Sequence, residues 1–172
     1  AVGRIPATTA DEAKIVVDKS ISYMENKNPG TWQNTAMFLG DDGNNNDHMK
    51  ASNAAAEIVE TLCPGMQVKR VFWDMYTRVS SATGFTYPEV SEIIKKQQAE
   101  GALLINYSGH GRADEISHEL VLSANDFANF KNTALPLWIT ASCDIMPFDG
   151  TVVNIGENAL LNPNGGAVAF YG

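Results

Sequence analysis

Apolar residues recur along this chain with two periods, and the periods alternate. After Thr9-Ala10-Asp11-Glu12, which reads as a capping box, Ala13, Val16, Val17, Ile21 and Met24 fall on one face of a helix of about 18 residues. Pro29-Gly30 closes that segment. A short apolar run, Met37 to Leu39, predicts a first strand. It is followed by the polar loop 41–47 and a helix over roughly 48–62, with Ala55, Ile58, Val59 and Leu62 inside and Pro64-Gly65 as its stop. Val68 to Trp73 predicts a second strand, 74–87 a loop, and Pro88 the first residue of a third helix. Ala102 to Asn106 is a third strand, apolar enough to be buried on both faces. Ser123 is an N-cap for a helix at 124–130. Leu135 to Thr140, a helix at 155–161 and Ala167 to Phe170 complete the pattern.

Strands alternating with helices predict an α/β fold: a mostly parallel sheet with helices on both faces. Ligands bind such sheets beyond the carboxyl ends of the strands. Three polar clusters stand there, at 41–47, 107–111 and 142–144.

The 172 residues suit one domain. A net charge of −8 argues against the broad phosphate contacts of nucleic-acid binding and against an anionic membrane surface. No apolar run is long enough to span a bilayer, and no signal peptide is visible. The chain starts in mid-pattern and stops on an apolar strand, so it reads as a piece of a longer protein. Two cysteines, Cys63 and Cys143, give neither a disulfide framework nor a CxxC metal spacing.

The third predicted strand runs into Tyr107-Ser108-Gly109-His110-Gly111, and the fourth into Ala141-Ser142-Cys143. A cysteine at a strand end is most often a small hydrophobe, and a Gly-His-Gly turn alone is a weak signal. Placed at successive strand ends, the two fit a nucleophile, Cys143, with an imidazole acid–base partner, His110. The N–H groups of Gly111 and Cys143 would then form an oxyanion hole. Cys63, before Pro64, reads as structural.

The segment Leu104 to Gly111, with Cys143 33 residues after the histidine, resembles the gingipain family of cysteine peptidases. So do Gly3-Arg4-Ile5-Pro6, Phe38 to Gly43, Leu135-Pro136-Leu137, Thr140 to Cys143 with Phe148-Asp149, and Gly156 to Ala167. Together they cover nearly the whole chain. They are most similar to the branch that removes C-terminal sorting domains from proteins exported by type IX secretion.

The resemblance implies a caspase-like α/β domain over residues 1–172 and a His110–Cys143 dyad with oxyanion donors at Gly111 and Cys143. It also implies an acid from the loop after the first strand that orients the histidine. Asp41, Asp42 and Asp47 are the candidates, and Asp42 is preferred. Glu119 fits a pocket-lining position, although Arg112 to Leu120 also reads as a solvated acidic loop. The implied chemistry is cleavage or transpeptidation through a thioester. The implied partners are sorting-domain substrates and other secretion components, at the cell surface or outer membrane of Bacteroidota. No cofactor is expected.

Other readings fare less well. A peptidase-like binding module without turnover is the main alternative, and retention of both His110 and Cys143 speaks against it. A phosphoacceptor receiver domain needs a lysine after a late strand, where Phe170-Tyr171-Gly172 stands. An EF-hand fails because Asp47 replaces its glycine and Asn53 its glutamate, which leaves only a non-EF structural calcium open in that loop. Zinc on His110, His118 and Cys143 competes with a dyad that already explains two of the three.

Overall fold

The computed structural model describes residues 2–82, 84–150 and 153–172. Helix α1 (Ala10–Met24) opens on the expected capping box: Thr9 Oγ accepts from Glu12 N–H at 3.2 Å, and the Glu12 carboxylate accepts from Thr9 N–H at 3.0 Å. A 3₁₀ turn at Thr31–Asn34 leads into strand β1 (Thr35–Gly40), buried at all six positions. Helix α2 (Gly43–Leu62) and β2 (Gln67–Phe72) follow, then a 3₁₀ turn at Trp73–Met75. Strands β3 (Val79–Ser81) and β4 (Gly84–Thr86) form a hairpin ahead of α3 (Pro88–Glu100), which has Pro88 in its first turn. Strand β5 (Leu104–Ser108) then enters three short antiparallel strands, β6 (Gly111–Arg112), β7 (Glu115–Ile116) and β8 (Leu122–Ser123). Helix α4 (Ala124–Asn129), β9 (Leu137–Ala141), α5 (Ile155–Leu161) and β10 (Ala169–Tyr171) close the chain.

The five long strands form one parallel sheet in the order β10-β9-β5-β1-β2. Side chains alternate across it. Met37, Leu39, Ile105, Tyr107 and Trp138 point to one side, where they join Ile94 of α3, Phe127 of α4 and Ala159 of α5 in the main core. Ala36 and Phe38 point to the other, against Ala56 of α2. The sheet is therefore covered on both faces, as the alternation predicts.

Two helices present a different face from the one expected. On α1 only Val16 is buried, while Val17, Ile21 and Met24 are exposed. On α2 the buried positions are Met49, Ser52 and Ala56; of the expected residues Ala55 and Val59 pack against that core, whereas Ile58 and Leu62 are exposed. Each helix lies on a sheet or helix neighbour along one narrow line, and apolar residues off that line stay in water. The loop at 74–87 holds the β3–β4 hairpin, and 111–120 holds β6 and β7. Strands this short carry no readable period.

Helix α1 is fastened by Lys19. Its ammonium donates to the carbonyls of Ala159 (3.1 Å), Leu160 (3.0 Å), Asn162 (3.3 Å) and Gly165 (2.7 Å), closing the exposed end of α5 and the turn before β10. Burial lowers its pKa to about 8, so it stays protonated at neutral pH. Lys19→Met removes every one of these donors. We expect a loss of about 2 kcal/mol, seen as a melting temperature roughly 4–8 °C lower; an unchanged melting curve would show that α1 is only loosely attached.

Candidate active site

Strands β5 and β9 are neighbours, paired in parallel from Leu104↔Leu137 to Ser108↔Ala141. His110 and Cys143 each stand two residues beyond that last pair. The register thus carries both groups past the same edge of the sheet, side by side in strand order.

The two loops also touch. A Cβ on Gly111 would lie 2.5 Å from Ser142 Oγ and 3.1 Å from Ile145 Cδ1, so only glycine admits this approach. The residue after the histidine thus packs against the residue before the cysteine. Ile145 is buried in the main core and anchors the chain just beyond Cys143, whose side chain is exposed. Ser142 Oγ is buried and has no hydrogen-bond partner. Ser117 N–H donates to His110 O at 2.9 Å, which makes Gly111↔Ile116 a non-hydrogen-bonded pair and turns the Gly111 N–H away from β7.

His110 is held on both sides of its backbone. Its N–H donates to Asp41 Oδ2 at 2.6 Å, and its carbonyl accepts from the Tyr107 hydroxyl at 2.6 Å. Tyr107 Oη is also 3.2 Å from Asp41 Oδ2. Burial, reinforced by the Asp41 charge, holds the Tyr107 phenol well above its ordinary pKa, so it remains a donor. The imidazole itself meets His48 edge-to-face, with ring centroids 4.9 Å apart, and His118 face-to-face at 4.4 Å. A Cβ on Gly43 would come within 2.8 Å of its Nε2, so the backbone of the first loop also limits the ring.

Asp41, not Asp42, is the acid closest to this arrangement. It continues β1 by one residue, its N–H still donating to Ser108 O at 3.3 Å, and it is 1% exposed. Besides His110 and Tyr107, it accepts from Gly43 N–H at 3.1 Å and from His48 Nδ1. Asp42 turns elsewhere: it accepts from the Tyr87 hydroxyl at 2.8 Å and lies 4.0 Å from Arg78 Nη1. Burial, then the Asp42 bond and charge, raises the Tyr87 pKa. Asp47 pairs with Lys50 at 2.9 Å. The preference for Asp42 as the orienting acid is therefore not supported by this geometry: successive residues leaving a strand diverge. Even Asp41 meets the histidine's backbone rather than its ring.

Glu119 does lie beside the site. It accepts from Ser117 Oγ, which in turn accepts from Trp73 Nε1 at 3.0 Å, and its charge helps to raise both Tyr87 and Tyr107. Among the described residues no three His, Cys, Asp or Glu side chains converge as a metal would require, and no helix is long and apolar enough to cross a membrane. Sequence reasoning missed Tyr107 and His48. Tyr107 carried one signal, being the only hydroxyl-bearing aromatic in an apolar strand beside the Gly-His-Gly turn.

The model of peptidase family C25 matches residues 1–172. The chain belongs to peptidase family C25. A search of curated proteins by sequence finds no match. Among solved structures, the crystal structure of the Arg-specific cysteine proteinase gingipain R superposes with a TM-score of 0.73 at 16% identity, over 98% of this chain and 38% of that one. The complex of Porphyromonas gingivalis RgpB pro- and mature domains gives 0.73 at 17% identity, over 98% and 39%. A further structure described as a protease gives 0.67 at 17%, over 95% and 34%. This C25 chain thus shares the gingipain fold and spans well under half the length of those proteins.

Asp41→Ala leaves the His110 amide, the Gly43 amide and the His48 imidazole without their acceptor. We expect a loss of about 3 kcal/mol in urea unfolding, against about 1 kcal/mol for Asp42→Ala, which frees one hydroxyl near the surface. Equal losses would show that Asp41 is not the anchor of the histidine loop.

Proposed function

We propose that the protein is a Cys–His endopeptidase of the gingipain type. The contact of Gly111 with Ser142 is the observation that carries this reading, because it sets the histidine loop directly against the cysteine loop. His110 takes the proton of the Cys143 thiol, and the thiolate attacks the scissile carbonyl. The N–H groups of Gly111 and Cys143 receive the developing oxyanion. His110 then returns the proton to the leaving amine as the C–N bond breaks, leaving an acyl thioester on Cys143. Water, or an acceptor amine, attacks the thioester and regenerates the thiol.

We further propose that the substrates are secreted proteins with a C-terminal sorting domain and that the chain is PorU-like, acting at the outer membrane of a Bacteroidota cell beside other type IX components. The support is the resemblance of Phe38 to Gly43, Thr140 to Cys143 and Gly156 to Ala167, stretches that flank β1 and β9 at the site and run from α5 toward β10. In this reading Glu119, beside the paired loops, lines the substrate pocket. A binding module without turnover is the alternative, and it gives no reason for a histidine so tightly held.

Alkylation by iodoacetamide tests the dyad. Cys143 should label at least about 10-fold faster than Cys63 at pH 7, since a paired thiolate outcompetes a free thiol of pKa about 8.5. His110→Ala should remove that difference. Cys143→Ala should leave sorting-domain substrates uncleaved. Equal, slow labelling of both cysteines, or cleavage that survives Cys143→Ala, would favour the binding module.

A further inference from the structure

His48 has no part in the dyad chemistry, yet it is held as firmly as His110. Its Nδ1–H donates to Asp41 Oδ1, which leaves Nε2 to accept from Asn44 Nδ2 at 3.1 Å. Both nitrogens are thus engaged within the protein, so the ring has one orientation. That orientation places it edge-to-face on the His110 imidazole, at 4.9 Å and 85°. The placement depends on an unusual backbone. Asn44, Asn45 and Asn46 all have left-handed φ values, of 53°, 54° and 67°, before the regular part of α2 begins. Non-glycine residues adopt such angles singly, and three in succession persist only when the surroundings fix them. Here Asn44 holds His48, and Asn46 Nδ2 donates to Asp74 Oδ2 at 3.0 Å.

We propose that His48 is a positioning residue for His110: the Asp41–His48 pair supplies, through a second ring, the orientation that the loop's acid does not give the imidazole directly. The inference rests on the dyad reading above. Asp41 fixes the His110 backbone, and the His48 ring limits where the imidazole can turn. The other titratable groups that touch His110 are Asp41 and Tyr107, through its backbone, and His118, through its ring; Glu119 follows His118 in the chain, and Cys143 lies on the adjoining loop. His118 stacks on His110 but is exposed, and no hydrogen bond among the described residues holds its ring. His48 is therefore the neighbour able to keep His110 in one rotamer. The role is conveyed by the ring, because no hydrogen bond joins the two imidazoles.

The test is the pH dependence of iodoacetamide alkylation at Cys143, read by peptide mass spectrometry in the whole protein. A well-placed imidazole keeps the thiolate populated below the pKa of a free thiol. His48→Asn retains a donor for Asp41 and so preserves the buried bond, but removes the ring; melting curves run alongside verify that it folds. We expect its Cys143 labelling at pH 7 to fall about 10-fold, with the acid limb of the profile moved up by about one pH unit. His48→Phe, which keeps an aromatic ring at the contact, should recover part of the rate. If His110→Ala shifts the profile while His48→Asn matches the wild type, His48 has no positioning role and the dyad stands. If His110→Ala leaves the profile unmoved, the dyad reading falls and this inference with it.

Discussion

A carboxylate removed from water must be surrounded by donors, and Asp41 is surrounded by groups that all belong to the site. Its two oxygens collect an amide from its own loop, an imidazole from α2, a phenol from β5 and the amide of His110. These partners come from two separate stretches of the chain, 43–48 and 107–110. One buried charge therefore sets the histidine loop relative to β1, and the donors around it must all be present for the charge to be tolerated.

The cysteine side is organised by packing rather than charge. Ile145 enters the core beyond Cys143, and Ser142 is pressed on Gly111, so the segment of the proposed nucleophile is pinned before and after a side chain that remains open to solvent. The two devices suit their tasks. An acid–base group needs a fixed orientation, which hydrogen bonds supply, whereas a nucleophile needs access and a fixed backbone.

Much of this was legible in the sequence. All five strands of the parallel sheet were found within a few residues, because the central ones, β1, β5 and β9, are mostly apolar runs between turn signals. The strand-end rule also led to the neighbouring ends of β5 and β9, which the register does set side by side. What failed was anything decided by direction. Asp41 and Asp42 are adjacent and chemically identical, and only the geometry of leaving β1 sends one inward and the other to Tyr87. His48 was hidden for the same reason: a left-handed turn at Asn44 to Asn46 has no sequence period, so the ring's return to Asp41 could not be anticipated. The faces of α1 and α2 were misjudged because apolar spacing says which residues share a side, not which side meets a neighbour.

The register of β5 on β9 has a consequence for the life of the chain. The proposed dyad draws on segments dozens of residues apart, joined by parallel pairings that form late and slowly in folding. A slip of one residue between those strands would reverse every side chain beyond them. Until β5 and β9 pair in register, the unfinished chain therefore holds His110 and Cys143 apart, and the proposed dyad exists only in the folded domain.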